Sequence, residues 1–215
     1  MTQKIKKKNA KPSSRAWIHR QLHDPYVLKA KQQGYRARSA FKLLDIDKKY
    51  HLLTSGMAVV DLGAAPGGWS QVLAKRLHHK NQSGKIIAID ILPIDALSGV
   101  EILQGDFTQP ESQKKILQLL KGRALNGVLS DMAMNTTGHQ STDHLRSMFL
   151  AEQATEFAIT HLAKGGFFIT KVFQGGAQKE LLQKIKKIFL SVKHIKPDSS
   201  RKESPEIYLL AQGKL

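Results

Sequence analysis

Residues 59–71 read Val-Val-Asp-Leu-Gly-Ala-Ala-Pro-Gly-Gly-Trp-Ser-Gln, and no other stretch of the chain has so dense a set of residues suited to ligand chemistry. A β-branched apolar run ends at Asp61 and enters a turn containing Gly63, Gly67 and Gly68. It leaves as an amphipathic helix carrying Trp69, Val72, Leu73 and Leu77. Strand, loop and helix in that order open a doubly wound α/β sheet, with a ligand crevice at the strand's carboxyl end. Glycines there adopt backbone angles closed to other residues and let the main chain approach a ligand. The spacing is not the G-x-G-x-x-G of dinucleotide sites. Asp61, expected at the mouth of the turn, would repel a pyrophosphate and favour a cation such as the ammonium and sulfonium of S-adenosylmethionine. Asp90 ends the apolar strand 85–90, where a carboxylate can accept hydrogen bonds from ribose hydroxyls. Asp106 follows a third strand near 100–105. Three strands that each end in an acid make a poor phosphate site and a good adenosyl-sulfonium site.

Further acids and two lysines extend this set. The strand Leu125 to Ser130 runs into Asp131. Strand 167–173 is largely apolar and is interrupted by one lysine, Lys171, and a lysine inside such a strand is costly unless it is paired or working. Glu206 immediately precedes the last strand, 207–211, with Glu203 in the loop before it. Lys42 falls off the apolar stripe (Phe41, Leu44, Tyr50) of a helix that Ser39 could cap, a position that usually means solvent.

The elements that must position these residues alternate along the chain. Residues 1–14, with five lysines and almost nothing to bury, read as a disordered basic arm, and 15–215 as a single domain. Trp17, Ile18 and Leu22 recur at helical spacing, and Pro25 starts a segment that runs to Gly34. After the helix at 68–79, closed by the cationic pair His78-His79, come strand 85–90, strand 100–105, helix 109–120 and strand 125–130. A polar loop at 135–144 holds His139 and His144, with no cysteine and no carboxylate at the spacing of a metal site. Helix 143–163, strand 167–173, helix 177–190, a strand near 192–196 and strand 207–211 complete the pattern.

The composition narrows the function. The 215 residues include 34 Lys and Arg against 17 Asp and Glu, a net charge of +17. Residues 1–50 alone hold fourteen Lys and Arg against three acids. A polyanion is the natural partner, and nucleic acid the first choice. There are no cysteines, which fits a reducing, cytoplasmic setting. Their lack also excludes thiolate metal sites and the cysteine adduct used to methylate pyrimidine C5. No apolar run approaches the roughly 20 residues of a membrane span. The basic amino terminus lacks the apolar core of a secretory signal. No metal and no membrane partner are expected, and a monomer is.

Taken together, several motifs resemble the FtsJ/RlmE family of ribosomal RNA 2′-O-ribose methyltransferases. They are Ser39-Ala-Phe-Lys-Leu43, Asp61 to Gln71, Gln104-Gly-Asp-Phe107, Ser130-Asp-Met-Ala133, Lys171-Val-Phe-Gln-Gly175, Lys196-Pro-Asp-Ser-Ser-Arg201 and Glu206-Ile-Tyr208. The likeness runs from Ser14 onward. It implies a Rossmann-like fold for S-adenosylmethionine-dependent methyl transfer: a seven-stranded, mostly parallel sheet with helices on both faces. It also implies a catalytic set at Lys42, Asp131, Lys171 and Glu206, and cofactor contacts at Gly67, Trp69, Asp90, Asp106 and Asp131. Asp61 and Gly63 join the cofactor set from the reading above. The implied substrate is a uridine in the A loop of large-subunit (23S) ribosomal RNA, presented on the assembled 50S subunit. One departure is Met134, where the family's Asp-Met-Ala-Pro-Asn has proline, so the loop after Asp131 lacks a rigid residue.

A ribose 2′-hydroxyl is a weak nucleophile and needs a base nearby. Burial and a neighbouring cation favour a neutral lysine, whereas neighbouring acids oppose it, and the sequence leaves that balance at Lys171 open. Four rivals stand beside this reading. They are a nucleotide-dependent oxidoreductase, a non-catalytic RNA-binding or ribosome-assembly protein, a methyltransferase of base nitrogens or proteins, and a 2′-O-methyltransferase of another RNA such as tRNA. Asp61 argues against the first, and the reading Asp-Met-Ala-Met at 131–134 against the Asn/Asp-Pro-Pro-aromatic type of the third.

Overall fold

The computed structural model describes residues 23–79, 82–133, 140–173 and 178–215. The expected basic arm, the helical segment around Trp17, Met134 and His139 lie outside the described residues.

Helix α1 (Pro25–Gln32) begins with proline at its first turn, and the Asp24 side chain accepts the Tyr26 N–H at 3.0 Å. Such a cap satisfies one of the donors that a helix start leaves without a partner. Helix α2 (Ala40–Tyr50) follows, then strand β1 (Ala58–Leu62) and helix α3 (Gly68–Leu77). The chain continues through β2 (Lys85–Asp90), β3 (Glu101–Gln104), α4 (Pro110–Leu120) and β4 (Leu125–Ser130). It ends with α5 (Gln140–His161), β5 (Leu162–Phe173), α6 (Gln178–Lys186), β6 (Phe189–Ile195) and β7 (Glu206–Lys214).

The seven strands form one sheet in the order β3-β2-β1-β4-β5-β7-β6. The first five are parallel, and β7 runs antiparallel to both neighbours. Every residue of β1 is buried, as both-sided burial of a central parallel strand demands. Alternate side chains feed two cores. Val60, Ile87, Val128 and Phe168 pack with Ile116, Met148, Phe157 and Ile185 from α4, α5 and α6. Val59, Ile86, Leu129 and Ile169 pack with Leu43, Ile46, Trp69 and Leu73 from α2 and α3. The three-layer sheet expected from the sequence is present. Its strand order reverses between β1 and β4, which opens a crevice at their carboxyl ends.

Several boundaries differ from the sequence reading. Helix α3 ends at Leu77, and His78–His79 instead pairs in an antiparallel bridge with Gln82–Ser83. His78 closes the helix, its N–H donating to the Ala74 carbonyl, and its ring also reaches the Gly99 carbonyl at 3.0 Å, which anchors the loop there. Ser39 precedes α2 but its side chain makes no cap bond. Its carbonyl accepts the Trp69 indole N–H at 2.8 Å. Strand β5 starts at Leu162, five residues earlier than its apolar run, because Leu125–Leu162 pairing resumes after an irregularity.

Candidate active site

One polar row lies at the carboxyl edge of the sheet. Asp131 directly follows β4, and its main-chain N–H donates to the Leu62 carbonyl at 3.1 Å, so β1 fixes its position. Lys171 lies on β5 directly opposite Tyr208 of β7, and Phe173 lies opposite Glu206. Residues opposite each other share a sheet face, and so do residues two apart, so Lys171, Tyr208 and Glu206 project together. Lys42 comes from the first turn of α2.

The contacts form a continuous chain. The Lys171 ammonium donates to the Asp131 main-chain oxygen at 2.8 Å and lies 3.2 Å from its carboxylate Oδ1. The Tyr208 hydroxyl donates to the same Oδ1 at 2.7 Å. Lys42 Nζ donates to the Tyr208 oxygen and to Glu206 Oε2, each at 3.1 Å. Lys171 is only 8% exposed, so the sheet does bury a lysine and pair it with an acid. Lys42, expected in solvent from its place off the apolar stripe, is largely covered, with its side chain 12% exposed. Sequence reasoning also missed Tyr208, which links the two lysine–acid pairs. Its position two residues from Glu206 on one strand was the available signal.

The charge states follow from these contacts. Burial would raise the Asp131 carboxyl, but the positive charges of Lys171 and Lys42 and the bonds from Tyr208 and Lys171 outweigh it and hold the group below its ordinary value. Tyr208 moves the other way. Burial, the Asp131 charge and the bond to it raise the phenol well above its usual 10.0. Tyr208 is therefore a fixed donor, and Asp131 a fixed anion.

A second network holds the loop that leads into Glu206. Asp24, 7% exposed, accepts hydrogen bonds from Arg38 and Arg201 on its Oδ2. Arg38 also donates to the Ser199 carbonyl, and the Ser199 N–H donates to Asp45 Oδ2 at 2.8 Å. These residues are up to 177 positions apart, and no local pattern announces them.

Beside the row, the glycine loop runs from β1 into α3. Gly63 has φ +73°, and a side chain there would strike the Met132 main chain at 2.7 Å. Gly67, with φ +106°, stands at the amino end of α3, where the first-turn N–H groups lack helical acceptors. Asp90 Oδ2 accepts the Ala65 N–H at 2.9 Å and Oδ1 the Leu92 N–H at 2.8 Å, tying β2 to the glycine loop. Asp106 is exposed, and its Oδ1 accepts the Thr108 N–H and hydroxyl. These bonds lower its pKa. Arg36 clasps the two walls, donating to the carbonyls of Pro66 at 3.3 Å, Asp95 at 2.8 Å and Ala96 at 2.8 Å.

Two expected cofactor residues sit differently from the sequence reading. Trp69 is buried, with its ring 5.6 Å from that of Tyr208 and its indole N–H on Ser39, so only its main chain faces the loop. Asp61 is not at the mouth of the turn but fully buried behind it. Its Oδ2 accepts the Ser70 hydroxyl at 2.6 Å, while Oδ1 has no hydrogen-bond partner. Burial raises its pKa to about 7 against the Ser70 bond, with help from the charges of Asp131 and Asp90. No helix among the described residues is long and apolar enough to cross a membrane. Among them, no cluster of three or more His, Asp or Glu could hold a metal ion.

The chain is similar to known proteins over nearly its whole length. It is 53% identical over 204 residues to ribosomal RNA large subunit methyltransferase E of Rickettsia africae, covering 94% of this chain and 89% of the relative. It is 50% identical over 213 residues to the protein of the same name from Azorhizobium caulinodans, covering 98% and 88%. A Plasmodium falciparum structure described as a ribosomal RNA methyltransferase superposes with a TM-score of 0.75 at 32% identity, over 84% of this chain and 99% of that one. Residues 35–214 match the FtsJ-like methyltransferase family, a span that contains the polar row and the glycine loop, and the chain belongs to that family.

Proposed function

We propose that this methyltransferase uses S-adenosylmethionine to methylate a ribose 2′-hydroxyl of large-subunit ribosomal RNA, with a uridine of the A loop on the assembled subunit as target. The observation that carries this reading is the lysine–acid–tyrosine row set against a glycine loop to which Asp90 is bonded. The names of the relatives support the RNA class, and the excess of basic residues supports a polyanion.

S-adenosylmethionine would supply an electrophilic methyl group on a sulfonium. Gly63 and Gly67 would leave room for its backbone-hugging part, Asp90 would accept from its ribose, and Asp106 would face its base. The exposed apolar side chains of Ile91 and Leu92 would cover the adenine. At the other end of the site, the proton of the attacking hydroxyl must be removed. Asp131 is held ionised and its Oδ1 is occupied, so it is a weak base, and Tyr208 keeps its proton. In this reading Lys171, whose amine lies 3.2 Å from Asp131 Oδ1, takes that proton. Asp131 aims its amine, and Lys42 and Glu206 steady the ribose. Holding oxygen, methyl carbon and sulfur in line supplies much of the rate.

The test is tritium transfer from labelled S-adenosylmethionine to free ribosomal RNA, to large subunits and to tRNA, followed by nuclease mapping of the labelled nucleoside. Label on a 2′-O-methyluridine of the large subunit is expected. Label on a base, on tRNA alone or on nothing defeats the reading.

A further inference from the structure

Beside the row lies an opening that the proposed chemistry does not use. A cleft of about 350 Å³ is lined by Lys48, Lys49 and Tyr50 from α2, by Lys196 and Asp198 beyond β6, and by Asp45. Its floor is apolar, because the buried side chains of Ile46 and Ile195 also line it. Tyr50 is half-buried, and the ammonium groups of Lys49 and Lys193 lie 5.6 and 5.5 Å from its ring centroid. All four lysines are exposed. Of the two acids, Asp45 already accepts the Ser199 N–H. An aromatic face over an apolar floor, rimmed by exposed cations, is what a stacked base and its phosphates require.

The location connects this cleft to the reacting row. Asp45 and Lys49 follow Lys42 by three and seven residues and so share its side of α2. At a rise of about 1.5 Å per residue, Lys49 lies about 10 Å along the helix from Lys42. About three nucleotides of a stacked strand cover that span, at about 3.4 Å each. Lys196 reaches towards the row from the other wall. It donates to the carbonyls of Lys202 at 2.8 Å and Ser204 at 2.9 Å, and Ser204 Oγ accepts the Glu206 N–H at 3.3 Å. An ammonium has three donors, so one remains for a phosphate oxygen.

We infer that this cleft is a subsite for a nucleotide about three positions along the strand from the methylated one, its base stacked on Tyr50 and its phosphates on Lys48, Lys49 and Lys196. This rests on the RNA substrate proposed above. On binding, the base displaces one of the two ammonium groups from the Tyr50 ring, and that group moves to the neighbouring phosphate.

Fluorescence anisotropy tests the subsite. A single-stranded RNA centred on the target uridine is compared with the same RNA trimmed to the uridine and one neighbour on either side. Tyr50→Leu should bind the long RNA about tenfold more weakly, the scale of one lost stacking contact, with an unchanged salt dependence. Tyr50→Phe should bind as the wild type does. Lys48→Gln with Lys49→Gln should flatten the slope of log affinity against log salt by about 1.4, for two phosphates on a single strand. On the trimmed RNA all these proteins should bind alike. Wild-type affinity for the long RNA in the leucine and glutamine variants overturns the subsite. So does a loss of the same size on both RNAs, which marks a change in the fold. Methyl transfer is measured in parallel. If the wild type never methylates RNA, the enzymatic reading fails, while the long-against-trimmed comparison still decides the cleft.

Discussion

Asp61 and Asp131 occupy nearly equivalent places, one at the end of β1 and the other just past the end of β4, on adjacent parallel strands. Asp61 is wholly buried and the Asp131 side chain is 17% exposed, and their proton affinities move in opposite directions. Asp61 has a serine hydroxyl for company and an oxygen with no partner. Asp131 has two lysines and a tyrosine hydroxyl. Burial sets the size of the stake, and the cationic partners decide the sign. The sheet has built one acid that is neutral about half the time near pH 7 and another that stays charged, a few ångströms of strand apart.

The sharpest way to break this contrast is to neutralise each acid by asparagine. Asp131→Asn removes one partner of a buried ion pair and leaves Lys171 uncompensated. Unfolding in urea at pH 7 should show a loss of about 3–5 kcal/mol. Because its folded pKa is lowered, the Asp131 contribution is present above the ordinary carboxyl range and disappears as pH falls through the folded value. The variant and the wild type should therefore converge in acid.

Asp61→Asn should act with the opposite sign. The folded chain keeps the Asp61 proton up to about pH 7, whereas an unfolded aspartate releases it near 3.8. Folding then takes up a proton between those values, so this residue's contribution declines as pH rises through that window and stays low above it. At about 1.4 kcal/mol per unit the decline totals about 4 kcal/mol as an upper figure. Asp61→Asn should flatten the stability profile between pH 4 and 7 and melt above the wild type at pH 8. Identical profiles for the two proteins would show that the burial of Asp61 has no such effect.

The next change acts on the cation instead of the acid. Lys171→Arg keeps the positive charge but cannot shed it, since a guanidinium does not deprotonate in proteins. Both Lys171→Arg and Lys171→Ala should lower the single-turnover rate by at least about a hundredfold, the scale of a lost general base. Affinity for S-adenosylmethionine should stay near the wild type. A fast arginine variant with a flat pH–rate profile would leave Lys171 only a charge. The smallest expected effect is at Asp90, a third strand-end acid whose described partners are main-chain N–H groups. Asp90→Ala should weaken S-adenosylmethionine binding by about 1–3 kcal/mol in calorimetry and leave RNA affinity unchanged.

The legible parts of this structure were those set by short-range pattern. β-branched runs ending in acids gave the strands, and the glycine spacing gave the loop. Lys171 was conspicuous as the one charged residue in an otherwise largely apolar strand. Lys42 misled because its helix turns it away from the apolar stripe, and only the fold shows that β7 comes to meet it there. Tyr208 closed a motif but had no role, because a tyrosine in a strand is an ordinary core residue until its hydroxyl is seen to bond. Asp61 was read as facing the crevice, and nothing local distinguishes an acid at the rim from one tucked behind it. The Asp24–Arg38–Arg201 cluster joins opposite ends of the described chain, and although Arg201 closes a recognisable motif, nothing local pairs it with Asp24.

The position of β7 has a consequence for how the protein is made. It is the last of the seven strands in chain order, yet it fills the gap between β5 and β6 instead of adding to an edge. Glu206 and Tyr208 therefore leave the ribosome after Lys42, Asp131 and Lys171. A nascent chain can already carry its basic residues and its glycine loop while two members of the row are still missing. If the proposed substrate is right, the protein is synthesised by the kind of particle it modifies. It can then touch that RNA early, but it should become active only once β7 has joined the sheet. Ribosome-bound chains stalled before residue 206 should transfer no methyl group, and released full-length chains should.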